Sequence, residues 1–218
     1  MKILAFNGSP RSTGNTATML EHAIKGAREK GAEVELFNLY TMQFSGCISC
    51  FSCKRLGKER TTLCAVKDDL RPVLEKVRDI DGLLIASPIY FGSESAACRA
   101  LIERLCFPYL NYADYTKSHF PRRIPVGLIY TMNVTADMWT RVGYEVNFGR
   151  TRDTLAREFG SCTMVLAHNT TQYKDYSLYE ANATGEEKKA YRDAHFSKDC
   201  ENARLLGEGL VSGIQPNS

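Results

Sequence analysis

The sequence predicts an α/β fold, a doubly wound five-stranded parallel sheet with helices on both faces. Three observations predict it. Short unbroken apolar runs, such as Ile3-Leu4-Ala5-Phe6 and Leu83-Leu84-Ile85-Ala86, have the length and uniformity of strands buried on both faces. Between such runs lie stretches whose apolar residues recur at helical spacing, Met19, Leu20, Ala23, Ile24 and Ala27 being the clearest. Strand and helix then alternate along the chain, as a parallel sheet requires, because each parallel strand needs a crossover.

The elements follow in order. Residues 3–6 are the first strand. A helix runs from Asn15 or Thr16 to Lys30, and Gly31 suits its end. Residues 33–39 form the second strand, with Val34, Leu36 and Phe37 inward, and a long connection over 40–67 carries closely spaced cysteines. Asp68 or Asp69 caps the next helix, Pro72 is tolerated in its first turn, and Leu70, Val73, Leu74 and Val77 give it one apolar face. Residues 82–86 are the third strand, and 94–106 a helix with Ala97, Leu101, Ile102 and Leu105 toward the core. The fourth and fifth strands are 125–130 and 162–167, with an interrupted helical segment over 136–159 between them. The last helix spans 184–212, opened by a capping-box pattern at Thr184 and Glu187. The 218 residues suit one α/β domain, with the cysteine-rich insertion at 40–67.

Composition narrows the function. A formal net charge of +3, with acids and bases interspersed, does not suggest a nucleic-acid protein. No apolar run approaches membrane-spanning length, and the chain enters strand directly, without a signal peptide pattern. A cytoplasmic protein is expected. Eight cysteines in that compartment mean metal, redox chemistry or burial rather than structural disulfides.

Residues 7–16, Asn-Gly-Ser-Pro-Arg-Ser-Thr-Gly-Asn-Thr, join the first strand to the first helix. Glycines let this backbone turn and approach a ligand closely, and the free N–H groups of a helix start favour an anion. Ser9, Ser12, Thr13 and Thr16 add hydroxyl donors, and a phosphate is the expected anion. The Gly-Lys-Ser/Thr ending of a nucleotide loop is absent, as are the Gly-x-Gly-x-x-Gly spacing and the acidic residue that holds an adenosine ribose. A terminal phosphate monoester such as that of FMN fits better. The alternative is an ordinary strand–helix turn with no ligand.

Gly8-Ser9-Pro10-Arg11-Ser12-Thr13-Gly14-Asn15-Thr16, together with Ser87-Pro88-Ile89-Tyr90-Phe91-Gly92, resembles the FMN-binding loops of the flavodoxin-like NAD(P)H-dependent FMN reductases. The cysteine segment resembles that of the iron–sulfur flavoproteins within that superfamily. The resemblance implies the flavodoxin-like strand order 2-1-3-4-5, with the ligand beyond the carboxyl ends of the strands. It implies that Ser9, Arg11, Thr13, Gly14, Asn15 and Thr16 surround the FMN phosphate, and that Pro88, Ile89, Tyr90, Phe91 and Gly92 hold the isoalloxazine ring. Thr131, Met132 and Asn133, after the fourth strand, are the third candidate loop, for the ring's rim or the ribityl chain.

Cys47, Cys50 and Cys53 are spaced Cys-x2-Cys-x2-Cys, and Cys64 follows after ten residues. Thiolates at such spacing can converge on one centre. Four of them match a 4Fe–4S cluster, or tetrahedral zinc, although zinc favours paired knuckles and Cys64 has no close partner. A third reading is a loop of free or redox-active thiols. The last gap is longer than in the iron–sulfur flavoproteins. Lys54, Arg55, Lys58 and Arg60 surround the segment and can attract an anionic redox partner. Cys98, Cys106, Cys162 and Cys200 read as small apolar residues. The four histidines form no ligand spacing.

The expected function is an FMN-dependent oxidoreductase that takes electrons from NAD(P)H or a reduced carrier and passes them to a small molecule or a protein such as ferredoxin. No acid–base side chain is assigned, because the flavin carries the chemistry. The alternative is a non-enzymatic flavodoxin-type electron carrier, which the net charge of +3 argues against. A ligand-free module on the same scaffold is the third reading. The aromatic-rich segments 107–123 and 169–183 either cover a flavin, form an interface or pack on their own domain. A homodimer or homotetramer is expected.

Overall fold

The computed structural model describes residues 1–57 and 62–213. In chain order its elements are β1 (Lys2–Asn7), α1 (Asn15–Glu29), β2 (Glu33–Asn38), α2 (Leu70–Lys76), β3 (Gly82–Tyr90), β4 (Ser93–Glu94), α3 (Ala96–Cys106), β5 (Ile124–Thr131), α4 (Ala136–Arg141), α5 (Tyr144–Phe159), β6 (Gly160–Ala167) and α6 (Gly185–Ser212). The main sheet runs β2-β1-β3-β5-β6, every neighbouring pair parallel, while the two-residue β4 folds back antiparallel on β3. With β4 set aside, this is the expected 2-1-3-4-5 order. The order reverses between β1 and β3, so the loops leaving these two strands face each other across a crevice.

Alternation along each strand divides the core. Leu4 and Phe6 of β1, with Leu83, Ile85, Val126, Leu128 and Tyr130, pack under α2, α3 and α5. Ile3 and Ala5, with Leu84, Ala86, Ile129 and Ala167, pack under α1 and α6. Strands buried on both faces therefore carry no polar side at all, which is why they read as continuous apolar runs. The α1–α6 pair is unusually close. A Cβ on Gly26 would lie 2.0 Å from the Arg204 carbonyl oxygen, and one on Gly207 1.9 Å from that of Ala23.

Several boundaries differ from the sequence reading. β3 does not stop at residue 86; it continues to Tyr90, because Ser87 and Pro88 stay in register with Tyr130 and Thr131 of β5. Glu94 belongs to β4 rather than to a helix, and α3 begins at Ala96 with Ser95 as its cap, its hydroxyl accepting from the Cys98 N–H at 3.4 Å. Leu36 is exposed, since β2 is the edge strand, while Val34 is buried and Phe37 is half-buried, stacked on Phe6. Asp68 rather than Asp69 supplies the side-chain cap of α2, accepting from the Leu70 N–H at 3.2 Å. The helical segment 136–159 is interrupted, as expected, at Gly143, whose φ of +72° ends one helix before α5 begins. The capping box at Thr184 forms, with the Glu187 N–H donating to Oγ1 at 3.2 Å and the Thr184 N–H to Glu187 Oε2 at 2.8 Å. Among the described residues no helix is long and apolar enough to cross a membrane.

Candidate functional site

The loop after β1 is fixed from within. The Gly8 N–H donates to the Ala86 carbonyl at 2.7 Å, and a Cβ on Gly8 would lie 2.9 Å from both that oxygen and Cys98 Cβ. Only glycine fits between β1 and α3. Asn7 Oδ1 accepts from the Ser9 N–H at 3.0 Å, and Ser9 Oγ accepts from the Arg11 N–H at 3.1 Å, so two successive side chains shape the turn. α1 then starts at Asn15 without a side-chain cap. Its first N–H groups, with the positive end of the helix dipole, are left to an external acceptor.

The hydroxyl and amide side chains of this loop are spread over three neighbours. Thr16 is buried and its hydroxyl meets that of Thr131 at 2.7 Å. Asn15 Nδ2 donates to the Thr171 carbonyl at 2.7 Å, while its Oδ1 accepts from Arg192 of α6. Arg11 reaches over to the carbonyl of Gln172, and Thr13 is exposed. The segment after β6 thus closes one side of the loop.

The loop after β3 is a two-residue hairpin. Phe91 (φ +50°) and Gly92 (φ +76°) connect Tyr90 to Ser93, the pattern of a type I′ turn. A left-handed phenylalanine is an outlier, and its side chain is fully exposed. A Cβ on Gly92 would meet the Tyr144 ring at 2.8 Å. Pro88 and Ile89 are half-buried, and Tyr90 and Phe91 form an exposed aromatic pair at the end of β3. Ser95 joins this loop to the first: its Oγ donates to the Gly8 carbonyl at 2.6 Å and its N–H to Ser87 Oγ at 3.0 Å.

The loop after β5 turns its side chains inward. Thr131 is bonded to Thr16, Met132 is buried in the core, and Asn133 Oδ1 accepts from Lys188 of α6. The Lys188 ammonium also donates to Asn169 Oδ1, and burial lowers its pKa. His168, next to this loop, stands edge-on to Trp139 with its Nδ1 buried and unpartnered, and burial lowers its pKa too.

Behind the hairpin lies a buried acid. Glu94 Oε1 accepts from the Tyr130 hydroxyl at 2.5 Å, and Oε2 from Ser93 Oγ at 3.1 Å and Arg99 Nη1 at 3.4 Å. Burial alone would push this carboxyl up, but the donors around it outweigh burial and hold it below its ordinary value. A group depressed in the folded state contributes stability above its unfolded pKa of about 4.3, and that stability is lost as pH falls through the folded value. Stability measured against pH should therefore fall on the acid side, and Glu94→Gln should flatten that limb. An unchanged acid limb in the variant would refute the assignment.

The cysteine segment lies elsewhere. Its three thiols sit in one compact loop, with Ser49 (φ +54°) and Phe51 (φ +53°) reversing the backbone on either side of Cys50. Cys47, Cys50, Cys53 and Cys64 line one small cavity. No three metal-binding side chains among the described residues are close enough to share one ion. A single zinc needs all its sulfurs at about 2.3 Å, whereas a cluster takes them at separate corners. Four thiols around one cavity are a donor set of the kind that a 4Fe–4S cluster or a tetrahedral zinc takes. Hydrogen bonds from Ser52 lower the pKa of Cys50, while burial raises that of Cys53.

The loop is fastened to the second half of α3. The Cys47 N–H donates to Glu103 Oε2 at 3.1 Å, and Arg104 Nε donates to Cys64 Sγ at 3.3 Å. Ser95, which touches the loop after β1, precedes Arg104 by nine residues, about 13 Å along a helix axis. The cysteine loop thus flanks the second half of α3 rather than the turn at its N-terminus. Lys54 is half-buried and folds onto the carbonyls of Phe107 and Leu110 and over the Phe107 ring, while Arg55 is exposed. Lys58 and Arg60 lie outside the described residues. Of the aromatic segment 107–123, Tyr109 and Phe120 pack on Phe159, while Tyr112 and Tyr115 are exposed.

With this geometry in place, comparison with known proteins decides the family. A family model described as NADPH-dependent FMN reductase matches residues 1–133, more than half of the chain. The chain belongs to that family. The chain is similar to several iron–sulfur flavoproteins. One from Methanocaldococcus jannaschii is 36% identical over 104 residues, covering 48% of this chain and 51% of that protein. One from Archaeoglobus fulgidus is 29% identical over 159 residues, covering 68% and 69%. The chain spans about half the length of several such curated relatives. Among solved structures, an NAD(P)H:quinone oxidoreductase from Methanothermobacter marburgensis superposes with a TM-score of 0.63 at 16% identity, covering 96% of this chain and 95% of that one. That likeness establishes the shared flavodoxin-like fold.

Several contacts of this site escaped the sequence. Ser95, Glu94, Arg104, Lys188 and Arg192 all act across long sequence separations, and only a charge at core spacing in α3 or α6 hinted at two of them.

Proposed function

We propose that this chain is an FMN-dependent oxidoreductase, taking electrons from NAD(P)H or a reduced carrier and delivering them to a small-molecule or protein acceptor. Family membership supports the cofactor, and one observation carries the site: the uncapped start of α1 follows β1 and the Phe91–Gly92 hairpin follows β3, the two strands between which the strand order reverses. Bound there, FMN supplies hydride acceptance and single-electron release. The residues of the chain bind and orient it. The N–H groups of the first turn of α1, with Ser9, Arg11, Thr13, Gly14, Asn15 and Thr16, take the phosphate. Pro88 to Gly92 hold the ring, Tyr90 and Phe91 flanking its face and limiting water. Thr131, Met132 and Asn133 support the loop beneath the ribityl chain.

Cys47, Cys50, Cys53 and Cys64 are the ligands of a 4Fe–4S cluster in this reading, which supplies one-electron transfer to a partner such as ferredoxin. The names of the relatives and the four thiols around one cavity support it. The protein works in the cytoplasm as a homodimer or homotetramer, the exposed Tyr112 and Tyr115 being available to a partner subunit.

Purification without oxygen tests both cofactors together. A flavin absorption band with a broad cluster shoulder is expected, with NAD(P)H oxidation when quinone, free flavin or ferredoxin is supplied. A colourless protein that takes up no FMN would refute the oxidoreductase reading. A single 24 kDa species in sedimentation would refute the oligomer.

A further inference from the structure

Arg104 is a charged residue in the middle of a core. Its side chain is fully buried on α3, a helix whose other buried residues include Leu101, Ile102 and Leu105. Every donor it carries has a set direction. Nη1 and Nη2 both bond the Asp68 carboxylate, Nη2 at 3.0 Å, and reach the carbonyls of Ser45 and Val66, each at 3.2 Å. That leaves Nε–H, which donates to Cys64 Sγ at 3.3 Å. Arg71 holds the Cys64 carbonyl from the other side.

A buried guanidinium needs its charge compensated, and Asp68 does this through a two-pronged pair. Compensation alone would not require a sulfur. The fork geometry of arginine does more: once Asp68 fixes the two terminal nitrogens, the direction of Nε–H is fixed as well. That donor points at the one cysteine whose membership of the four-thiol site the ten-residue gap leaves open. The same guanidinium bonds the backbone on both flanks of the cysteine loop, at Ser45 and at Val66, and so draws Cys64 toward Cys47, Cys50 and Cys53.

We propose that Arg104 is a positioning residue of the thiol site, fixing Cys64 as the fourth ligand and raising the midpoint potential of the cluster bound there through its Nε–H···S hydrogen bond. This rests on reading the four thiols as cluster ligands. Reduction adds negative charge to such a centre. A donor to a coordinating sulfur stabilises the reduced form more than the oxidised one, and hydrogen bonds to sulfur are among the levers that set these potentials. Asp68 moderates the effect, because its carboxylate cancels most of the guanidinium charge and leaves chiefly the directed bond.

The signs of two substitutions separate this role from simple core packing. Arg104→Met removes the donor and leaves the Asp68 carboxylate beside the site, so the midpoint potential should fall. Asp68→Asn keeps the donor and leaves the guanidinium charge uncompensated, so the potential should rise. Loss of a supporting contact to a metal ligand costs roughly ten- to a hundredfold in retention, so Arg104→Met should also release iron to a chelator faster by about that factor. The experiment is anaerobic reconstitution of the full chain, followed by redox titration of the cluster signal and chelator-driven iron release, with bound FMN measured as the check that each variant is folded. Arg104→Lys keeps a charge facing Asp68 without the directed donor, and replaces the Met variant if that one does not fold; its potential should lie below wild type. Opposite shifts in the Arg104 and Asp68 variants support the proposal. Unchanged potentials and unchanged iron release in all variants overturn it and leave the cluster reading standing. Wild-type protein that binds FMN but takes up no iron overturns both.

Discussion

Gly207→Val is expected to cost more than about 3 kcal/mol of stability, and to prevent folding at ordinary temperature if the protein's total stability lies at the low end of the usual range. Gly207 lies where α6 crosses α1, and a Cβ there would stand 1.9 Å from the Ala23 carbonyl oxygen and 3.0 Å from the Ala27 nitrogen. These are backbone atoms inside a helix, so they cannot rotate out of the way. The two helices would have to separate, and with them the packing of Ala23, Ala27, Ala203 and Leu206. Gly149 of α5 is the internal comparison, because no atom lies within 4 Å of the Cβ it would gain. Gly149→Ala should stabilise by roughly 0.5–1 kcal/mol, through helix propensity alone. Urea unfolding of the two variants should therefore move in opposite directions. Equal midpoints would mean that the helices do not approach as closely as described.

Thr16→Ala is expected to weaken FMN binding about tenfold to a hundredfold. A hydrogen bond to a charged group contributes roughly 1.5–3 kcal/mol, and each 1.4 kcal/mol is a factor of ten. Thr16 opens α1 beside the uncapped N–H groups, and its hydroxyl is already oriented by Thr131 at 2.7 Å. An oriented hydroxyl loses little freedom when it meets a phosphate. Asn15→Ala should have an effect of similar size, because Asn15 ties the helix start to Thr171 and Arg192. Thr16→Ser, which keeps the hydroxyl, should recover most of the affinity. Fluorescence titration with FMN reads all three, and unchanged affinity in both alanine variants would remove these residues from the phosphate site.

What the sequence made legible was local. The apolar runs of β1, β3 and β5 follow from burial on two faces and the helical spacing of α1 from burial on one, and both leave a pattern within a few residues. The strand order came instead from the resemblance of residues 8–16 and 87–92 to the loops of the FMN reductases. The turn at residues 7–16 could be located from those local patterns, as it is bounded by a strand and a helix start. The β3–β4 hairpin could not. Its one local signal is Gly92, and the preceding Phe91 adopts a conformation that phenylalanine seldom takes. Leu36 misled because alternation reports which side a residue faces, and an edge strand need not be covered on that side. Glu94 with Tyr130, Lys188 with Asn133, and Arg104 with Cys64 join residues 36, 55 and 40 positions apart. Nothing in the neighbourhood of either partner records such a pair, so the polar wiring behind the candidate site emerged only in three dimensions.

The crossing of α1 and α6 also sets an order of assembly: α6 follows every strand of the sheet along the chain, so the face of α1 that it covers closes only when α6 docks. The same helix brings Arg192 to Asn15 and Lys188 to Asn133, contacts that brace the loops after β1 and β5. The docking of one helix therefore both closes this apolar face and fixes the two loops, so the order of the candidate site depends on a segment more than fifty residues beyond the last of its loops.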